Sequence, residues 1–248
     1  MNLLLFAQEE LAGDRVQLTD GRAGHIRTIL GLGVGDVLRV GMINSRLGQG
    51  RIMHLDDTAV ELEVELDREP PPLPVVELIL ALPRPIMLQR ILKQATVLGV
   101  RRFHLIRSAK VEKSFFQSPV LAPEKLRELL LEGLTQSGVD TRLPEVCIHR
   151  QFKPFVQDVL PTLGGYGVLA HPGMAKTLPN AYPASQEEQK ILLAIGPEGG
   201  WNDFEVESFL ERGFSGFSMG NRILHVDTAV VALLAQLQLL QAIHQDSS

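Results

Sequence analysis

Ile195-Gly196-Pro197-Glu198-Gly199-Gly200-Trp201-Asn202-Asp203 leaves an apolar run, Ile191 to Ile195, and enters a helical stretch, Asp203 to Glu211, with Asn202 or Asp203 as its cap. Three glycines and a proline give an unusual backbone path with little side-chain bulk. Strand, glycine turn and helix in that order build an open α/β sheet, and such sheets bind ligands at the carboxyl ends of their strands. A ligand could therefore approach the main chain closely here, although a tight turn without a ligand would use the same residues. The turn lacks the Lys-Ser/Thr of a nucleotide P-loop, which argues against triphosphate binding.

A second segment repeats the arrangement. Phe214 to Met219 reads as a strand, Gly220-Asn221-Arg222-Ile223-Leu224-His225 as a loop, and Asp227 to His244 as a long helix capped by Asp227 or Thr228. A carboxylate at a helix N-terminus suits the helix dipole, so Asp227 has a capping role open to it. Arg222 is either a surface cation or a contact to a phosphate or base. The long helix is apolar around most of its girth and needs burial on more than one side. A homodimer interface would supply the second side.

Outward from these segments, residues 71–248 alternate strand and helix. Val75 to Leu82, Phe103 to Ile106 and Gly167 to Ala170 read as strands, and Pro85 to Leu98 and Pro123 to Gln136 as helices. The alternation predicts an α/β layer with a mainly parallel sheet. Before it stands Glu69-Pro70-Pro71-Pro72-Leu73-Pro74, a proline-rich spacer that suits neither a helix nor a central strand. Residues 1–70 read as β. Val37 to Val40, Arg51 to Met53 and Ala59 to Leu66 are short strands, the last alternating apolar and acidic residues. Several such strands in so short a stretch suggest a small barrel. Its face near Asp56 to Glu69 is acidic, whereas arginines outnumber aspartates between Arg15 and Arg51.

The 248 residues carry a net charge of −5, so nucleic-acid binding would need a local patch rather than a polycationic surface. The stretch Arg84 to Lys113 offers one: Arg84, Arg90, Lys93, Arg101, Arg102, Arg107, Lys110 and Lys113 stand against Glu112 alone. Either this is a solvated charged face or it follows a phosphate backbone. The single cysteine, Cys147, excludes an intramolecular disulfide and a cysteine-based zinc site, and the histidines show no His-x-x-x-His spacing. No metal is expected. The first residues lack the basic start and cleavage site of a signal peptide, and apolar runs such as Ala229 to Ala235 are short for a membrane span. A cytoplasmic protein without a membrane partner is expected. Gly31-Leu32-Gly33-Val34-Gly35-Asp36 mimics a dinucleotide fingerprint but lies in the β-rich part and reads as a turn.

Gly196-Pro197-Glu198-Gly199-Gly200 and Gly220-Asn221-Arg222-Ile223-Leu224, followed by Asp227-Thr228-Ala229, resemble the two final loops of the ribosomal RNA small subunit methyltransferase E family of the SPOUT superfamily. The resemblance covers the whole chain. His25-Ile26-Arg27-Thr28-Ile29-Leu30 with Gly35-Asp36 resembles a stretch of the family's N-terminal domain, and Gln94-Ala95-Thr96 with Leu98-Gly99-Val100 one of its helix ends. There are departures: Val97 stands where the family has a glutamate, and Gly138-Val139 follow Gln136-Ser137 where it has an arginine.

The resemblance implies an S-adenosylmethionine-dependent enzyme that methylates N3 of a uridine in 16S ribosomal RNA of the small ribosomal subunit. It also implies a C-terminal SPOUT-type domain with a trefoil knot over residues 71–248, an N-terminal PUA-like RNA-binding barrel over 1–70, and a homodimer. The cofactor would touch Leu169 and Ala170, then Ile195, Gly196, Pro197, Glu198 and Gly199, then Met219, Gly220, Ile223 and Leu224. Arg222 would stabilise the anionic base, with Glu198, Asp227 or His225 taking the proton. Arg22, Arg27, Arg84, Arg107, Lys110 and Lys113 would meet RNA. Two rivals remain: an enzyme of the superfamily acting on another ribosomal or transfer RNA base, and a non-catalytic RNA-binding protein of ribosome assembly.

Overall fold

A computed structural model describes residues 2–72, 75–182 and 190–245. The chain divides into two compact units. The first runs to Pro72 and takes in Leu131–Leu143; the second holds the rest. Residues 73 and 74, the end of the proline-rich spacer, lie outside the described residues.

The first unit is a curled mixed sheet. Its strands are β1 (Leu4–Phe6), β2 (Leu11–Ala12), β3 (Arg15–Leu18), β4 (Val37–Met42), β5 (Leu47–Leu55) and β6 (Val60–Arg68), in the order β1-β4-β5-β6-β3-β2. Only β1 and β4 pair parallel. Alternation in β6 buries Val60, Leu62 and Val64, which meet Phe6, Leu18, Ile52 and Ile26 in one core. Ile26 comes from α1 (Gly21–Thr28), whose N-cap Asp20 accepts from the Arg22 amide at 2.9 Å. A smaller cluster joins Leu3, Leu5 and Leu47 to Leu134. It forms because the end of α3 (Pro123–Ser137) and the turn after it belong to this unit. Asn44 fixes that turn: its amide donates to the Thr141 carbonyl at 2.8 Å and its Oδ1 accepts from the Leu143 amide at 2.8 Å.

The second unit is built on β7 (Val76–Ala81), β8 (Val100–Ile106), β9 (Glu145–His149), β10 (Tyr166–Ala170), β11 (Ile191–Ile195) and β12 (Ser215–Phe217). Their order is β12-β10-β11-β7-β8-β9, and every ladder is parallel. This is the α/β layer the alternation predicts. The central strands are buried on both faces, as their unbroken apolar runs require. The helices are α2 (Pro85–Val97), α3, the segment α4 (Phe152–Pro154), π-turn (Phe155–Val159) and α5 (Leu160–Leu163), then α6 (Leu178–Ala181), α7 (Asp203–Glu211) and α8 (Val226–Gln245).

One expectation changes. The strand read from Phe214 to Met219 shortens to Ser215–Phe217, because the Ser218 amide leaves the sheet and donates to the Lys176 carbonyl at 2.8 Å. Helix α8 buries one stripe, Val230, Leu233, Leu234 and Leu237, against α2 and β11, while Leu239 stays 60 % and Ile243 49 % exposed. Its Gln238 Nε2 donates to the Leu98 carbonyl at 2.8 Å, capping α2. By length and composition α8 could also cross a bilayer, which a count of unbroken apolar runs overlooks.

The apolar run of β7 hides a carboxylate. Glu77 is buried, with His104 Nε2 at 3.0 Å, Lys190 Nζ at 3.1 Å and Arg102 Nη1 at 3.3 Å. Burial alone would raise its pKa, but the bonds from His104 and Lys190 and the charges of Lys190 and Arg102 outweigh that and hold it below the usual carboxylate range. Glu77→Gln should cost about 2 kcal/mol of unfolding free energy, because it leaves donors of the buried His104 and the partly buried Lys190 without a charged acceptor. Glu77's contribution is present above the ordinary carboxylate pKa of 4.5 and is lost as pH falls through the lowered folded value. Urea unfolding across pH 3 to 7 should therefore show a flatter acid limb in the variant; identical limbs would refute this.

Candidate functional site

Ala170, the last residue of β10, lies opposite Ile195 of β11 on one side and Phe217 of β12 on the other. Three strands thus end together at the carboxyl edge. With strands about 4.8 Å apart, the exits of β11 and β12 are separated by only about 10 Å, with that of β10 between. The loop after β10 runs along the start of the loop after β12: the His171 amide donates to the Phe217 carbonyl at 2.9 Å, and Met174 lies against Gly216. So the structure gathers Leu169, Ala170, Ile195, Gly196 and Pro197 with the Met219 and Gly220 loop at one edge.

The Gly196 turn is held on several sides. The Gly200 amide closes it onto the Pro197 carbonyl at 2.8 Å, and Gly200 takes φ of +70°, a left-handed value that suits glycine. A Cβ at Gly196 would stand 3.2 Å from the Trp201 indole. Trp201 is buried, its ring 5.3 Å from Phe209 and 6.5 Å from Phe152. Exposed Glu198 accepts from the Arg84 amide at 3.4 Å, and Lys110 Nζ donates to the Gly199 carbonyl at 2.6 Å. Beyond the turn, Asn202 Oδ1 accepts from the Glu205 amide at 2.8 Å and Glu205 Oε2 from the Asn202 amide at 3.0 Å, a reciprocal cap that starts α7.

The second loop is open. Gly220 takes φ of +102°, and its amide donates to Ser218 Oγ at 3.2 Å. Arg222, Ile223, Leu224 and His225 are exposed, Ile223 at 89 %. Asp227 sits in the first turn of α8, 3.8 Å from Arg90 Nη1, and its Oδ1 accepts from the Thr228 amide at 3.0 Å. The helix begins at Val226 and its first bond runs from the Ala229 amide to the His225 carbonyl at 2.8 Å, so Asp227 and Thr228 lie inside the first turn and neither is the cap; the carboxylate still suits the helix dipole there.

These features suit a flat nucleoside with a polar tail. The turns bring main-chain amides and carbonyls to the edge with little side-chain bulk, and Met219, Ile223 and Leu224 offer uncovered apolar surface beside them. Among the described residues no group of three His, Cys, Asp or Glu could hold a metal ion.

The basic run does not form one surface. Arg102, near the start of β8, bonds Glu145 at 2.8 Å as well as Glu77, whereas Arg107, Lys110 and Lys113 follow the strand's far end. Five residues of extended chain put about 16 Å between Arg102 and Arg107. Arg84 and Lys110 both flank the Gly196 turn. In the first unit, Arg22 is engaged with Glu10, Asp20 and the Leu5 carbonyl, and Arg27 donates to the Asp56 carbonyl at 2.7 Å. Cys147 is half-buried, and burial, with Glu145 beside it, pushes its thiol up to about 11, leaving it unreactive at neutral pH. Trp201 and Glu205 escaped the reading of the site. The spacing Asn202-x-x-Glu205 is a capping signal and could have flagged the second.

The family model for RNA methyltransferase domains matches residues 69–238. A ribosomal RNA small subunit methyltransferase E of Treponema pallidum (strain Nichols) is 31 % identical, over 95 % of this chain and 90 % of its own. One from Synechocystis sp. is 30 % identical over 96 % of this chain and 77 % of its own. Among solved structures, a ribosomal RNA small subunit methyltransferase E from Neisseria gonorrhoeae bound to S-adenosyl methionine superposes with a TM-score of 0.75 at 20 % identity, covering 96 % of this chain and 98 % of that one, and so shares the fold. On its sequence likeness to such relatives, the chain belongs to the ribosomal RNA small subunit methyltransferase E family.

Proposed function

We propose that this protein transfers a methyl group from S-adenosylmethionine to N3 of a uridine in 16S ribosomal RNA, within the small ribosomal subunit or its precursor. The carrying observation is the shared edge where β11, β10 and β12 end, with both glycine loops leaving it. Leu169, Ala170, Ile195, Gly196, Pro197 and Gly199 would hold one side of the cofactor, and Met219, Gly220, Ile223 and Leu224 the other. The cofactor, when bound, supplies an electrophilic methyl on a sulfonium.

The chain's own work is to orient and to handle a proton. Uridine N3 carries a weakly acidic proton that must leave as the nitrogen attacks. Arg222 is the cation for the developing negative charge, and alignment of donor and acceptor supplies much of the rate. Glu198 and Asp227 are the candidate proton acceptors. Asp227 already carries a salt bridge and a bond from the Thr228 amide, which favours Glu198 for that role. Arg84, Arg107, Lys110 and Lys113, at the exits of β7 and β8, are the phosphate contacts of the second unit, with Arg22 and Arg27 those of the first.

The same reading takes residues 1–70 as a PUA-like RNA-binding barrel and 71–248 as a knotted SPOUT domain acting as a cytoplasmic homodimer. The exposed Leu239 on α8 supports a second copy there. The deciding experiment maps modified bases in 16S RNA from a deletion strain with and without the gene restored. One uridine should gain an N3-methyl only on restoration. A modified base of another kind, or in transfer RNA, would favour the rival enzyme; no change, with a folded protein that fails to bind S-adenosylmethionine, would favour the non-catalytic protein.

A further inference from the structure

Glu205 is a carboxylate only 2 % exposed, in the first turn of α7. We propose that it is a positioning residue for the methyl donor: it fastens the Gly196 turn to the loop leaving β8. This rests on the reading that S-adenosylmethionine binds at that turn.

A capping box needs one oxygen of the residue at this helix position. Glu205 uses both. Oε2 accepts from the Asn202 amide at 3.0 Å, as a cap does, while Oε1 accepts from the Ala109 amide at 2.7 Å, across 96 residues of sequence. Ala109 belongs to the chain after β8, so one carboxylate joins the exits of two strands that are not neighbours in the sheet. A buried carboxylate is costly unless its oxygens are satisfied, and two N–H donors facing separate oxygens satisfy it. An amide in its place would turn an NH2 group toward one of those donors.

The next residue repeats the tie. Lys110 Nζ donates to the Gly199 carbonyl at 2.6 Å, and its side chain fills the space beside Gly199, where a Cβ would stand 2.9 Å from the Lys110 Cδ. The turn is thus clamped from outside at Gly199 and at Asn202, on either side of the left-handed Gly200. Glycine-rich backbone is otherwise free to take many conformations, and that freedom is lost when a ligand binds. Fixing the turn beforehand removes that loss and tightens binding without touching the ligand.

The test is calorimetry with S-adenosylmethionine on the full-length protein, together with kcat at saturating cofactor on small-subunit RNA. E205Q should raise Kd tenfold or more while kcat stays within twofold. Val206→Ala, which trims the adjacent buried residue of the same helix, should lower the melting temperature yet bind as wild type does. Wild-type affinity in E205Q overturns the inference, as does an equal loss in both variants. If wild type itself binds no S-adenosylmethionine, the functional reading fails instead. Should E205Q not fold, Lys110→Met decides: a threefold rise in Kd supports the tie, and an unchanged Kd overturns it.

Discussion

Arg222→Ala is expected to lower kcat for methyl transfer by about 100-fold to 1,000-fold, the usual loss when one group stabilising transition-state charge is removed. Arg222 stands in the exposed loop between β12 and α8, next to Ile223 and Leu224. It forms no ion pair among the described residues, so its removal strands no buried partner and should leave the melting temperature within a degree or two. A guanidinium presents a planar fork of N–H donors and no acceptor, which suits it to stabilise an anion and not to take a proton. Cofactor affinity should therefore survive while turnover falls. Single-turnover kinetics with saturating S-adenosylmethionine would separate the two; an unchanged rate removes Arg222 from the chemistry.

The second large effect belongs to Gly196. A Cβ there would stand 3.2 Å from the Trp201 indole, and valine adds two methyl groups to that atom. Trp201 has little room to retreat, because Phe152 and Phe209 surround it. The turn must give way instead, at the place where the cofactor would lie. Gly196→Val is expected to weaken S-adenosylmethionine binding by about 100-fold or more, equivalent to about 3 kcal/mol. The first unit has its own core around Phe6, Ile26 and Ile52 and should stay folded. Wild-type affinity in this variant would show that the turn is not the binding site.

The second unit was the more legible half of the chain. Strand β11 and helix α7 fall where the apolar run Ile191 to Ile195 and the cap at Asn202 put them, because both signals are local. The glycine turns were legible for the same reason: an unusual backbone path needs particular residues. The first unit hid more. Its α1 has no apolar stripe, only Ala23 and Ile26 being buried, and β1 pairs with a strand more than thirty residues away. Nothing within Leu131–Leu143 announces its place with the first unit, since that depends on Asn44 and on the Leu3, Leu5 and Leu47 cluster. Glu77 went unnoticed in an apolar run because its partners come from β8 and from Lys190. The basic run was visible as composition, but alternation and distance along β8 divide it.

Helix α3 sets the order in which the protein can be finished during synthesis. A nascent chain that has emerged only as far as Pro72 still lacks Leu134 and the turn that Asn44 holds, so its N-terminal sheet must wait with that side unsealed. By the time residue 143 is out, β7, α2 and β8 have emerged as well. The early sheet is therefore completed by a segment delivered from the later half, at a moment when β10, β11, β12 and α8 have still to be made.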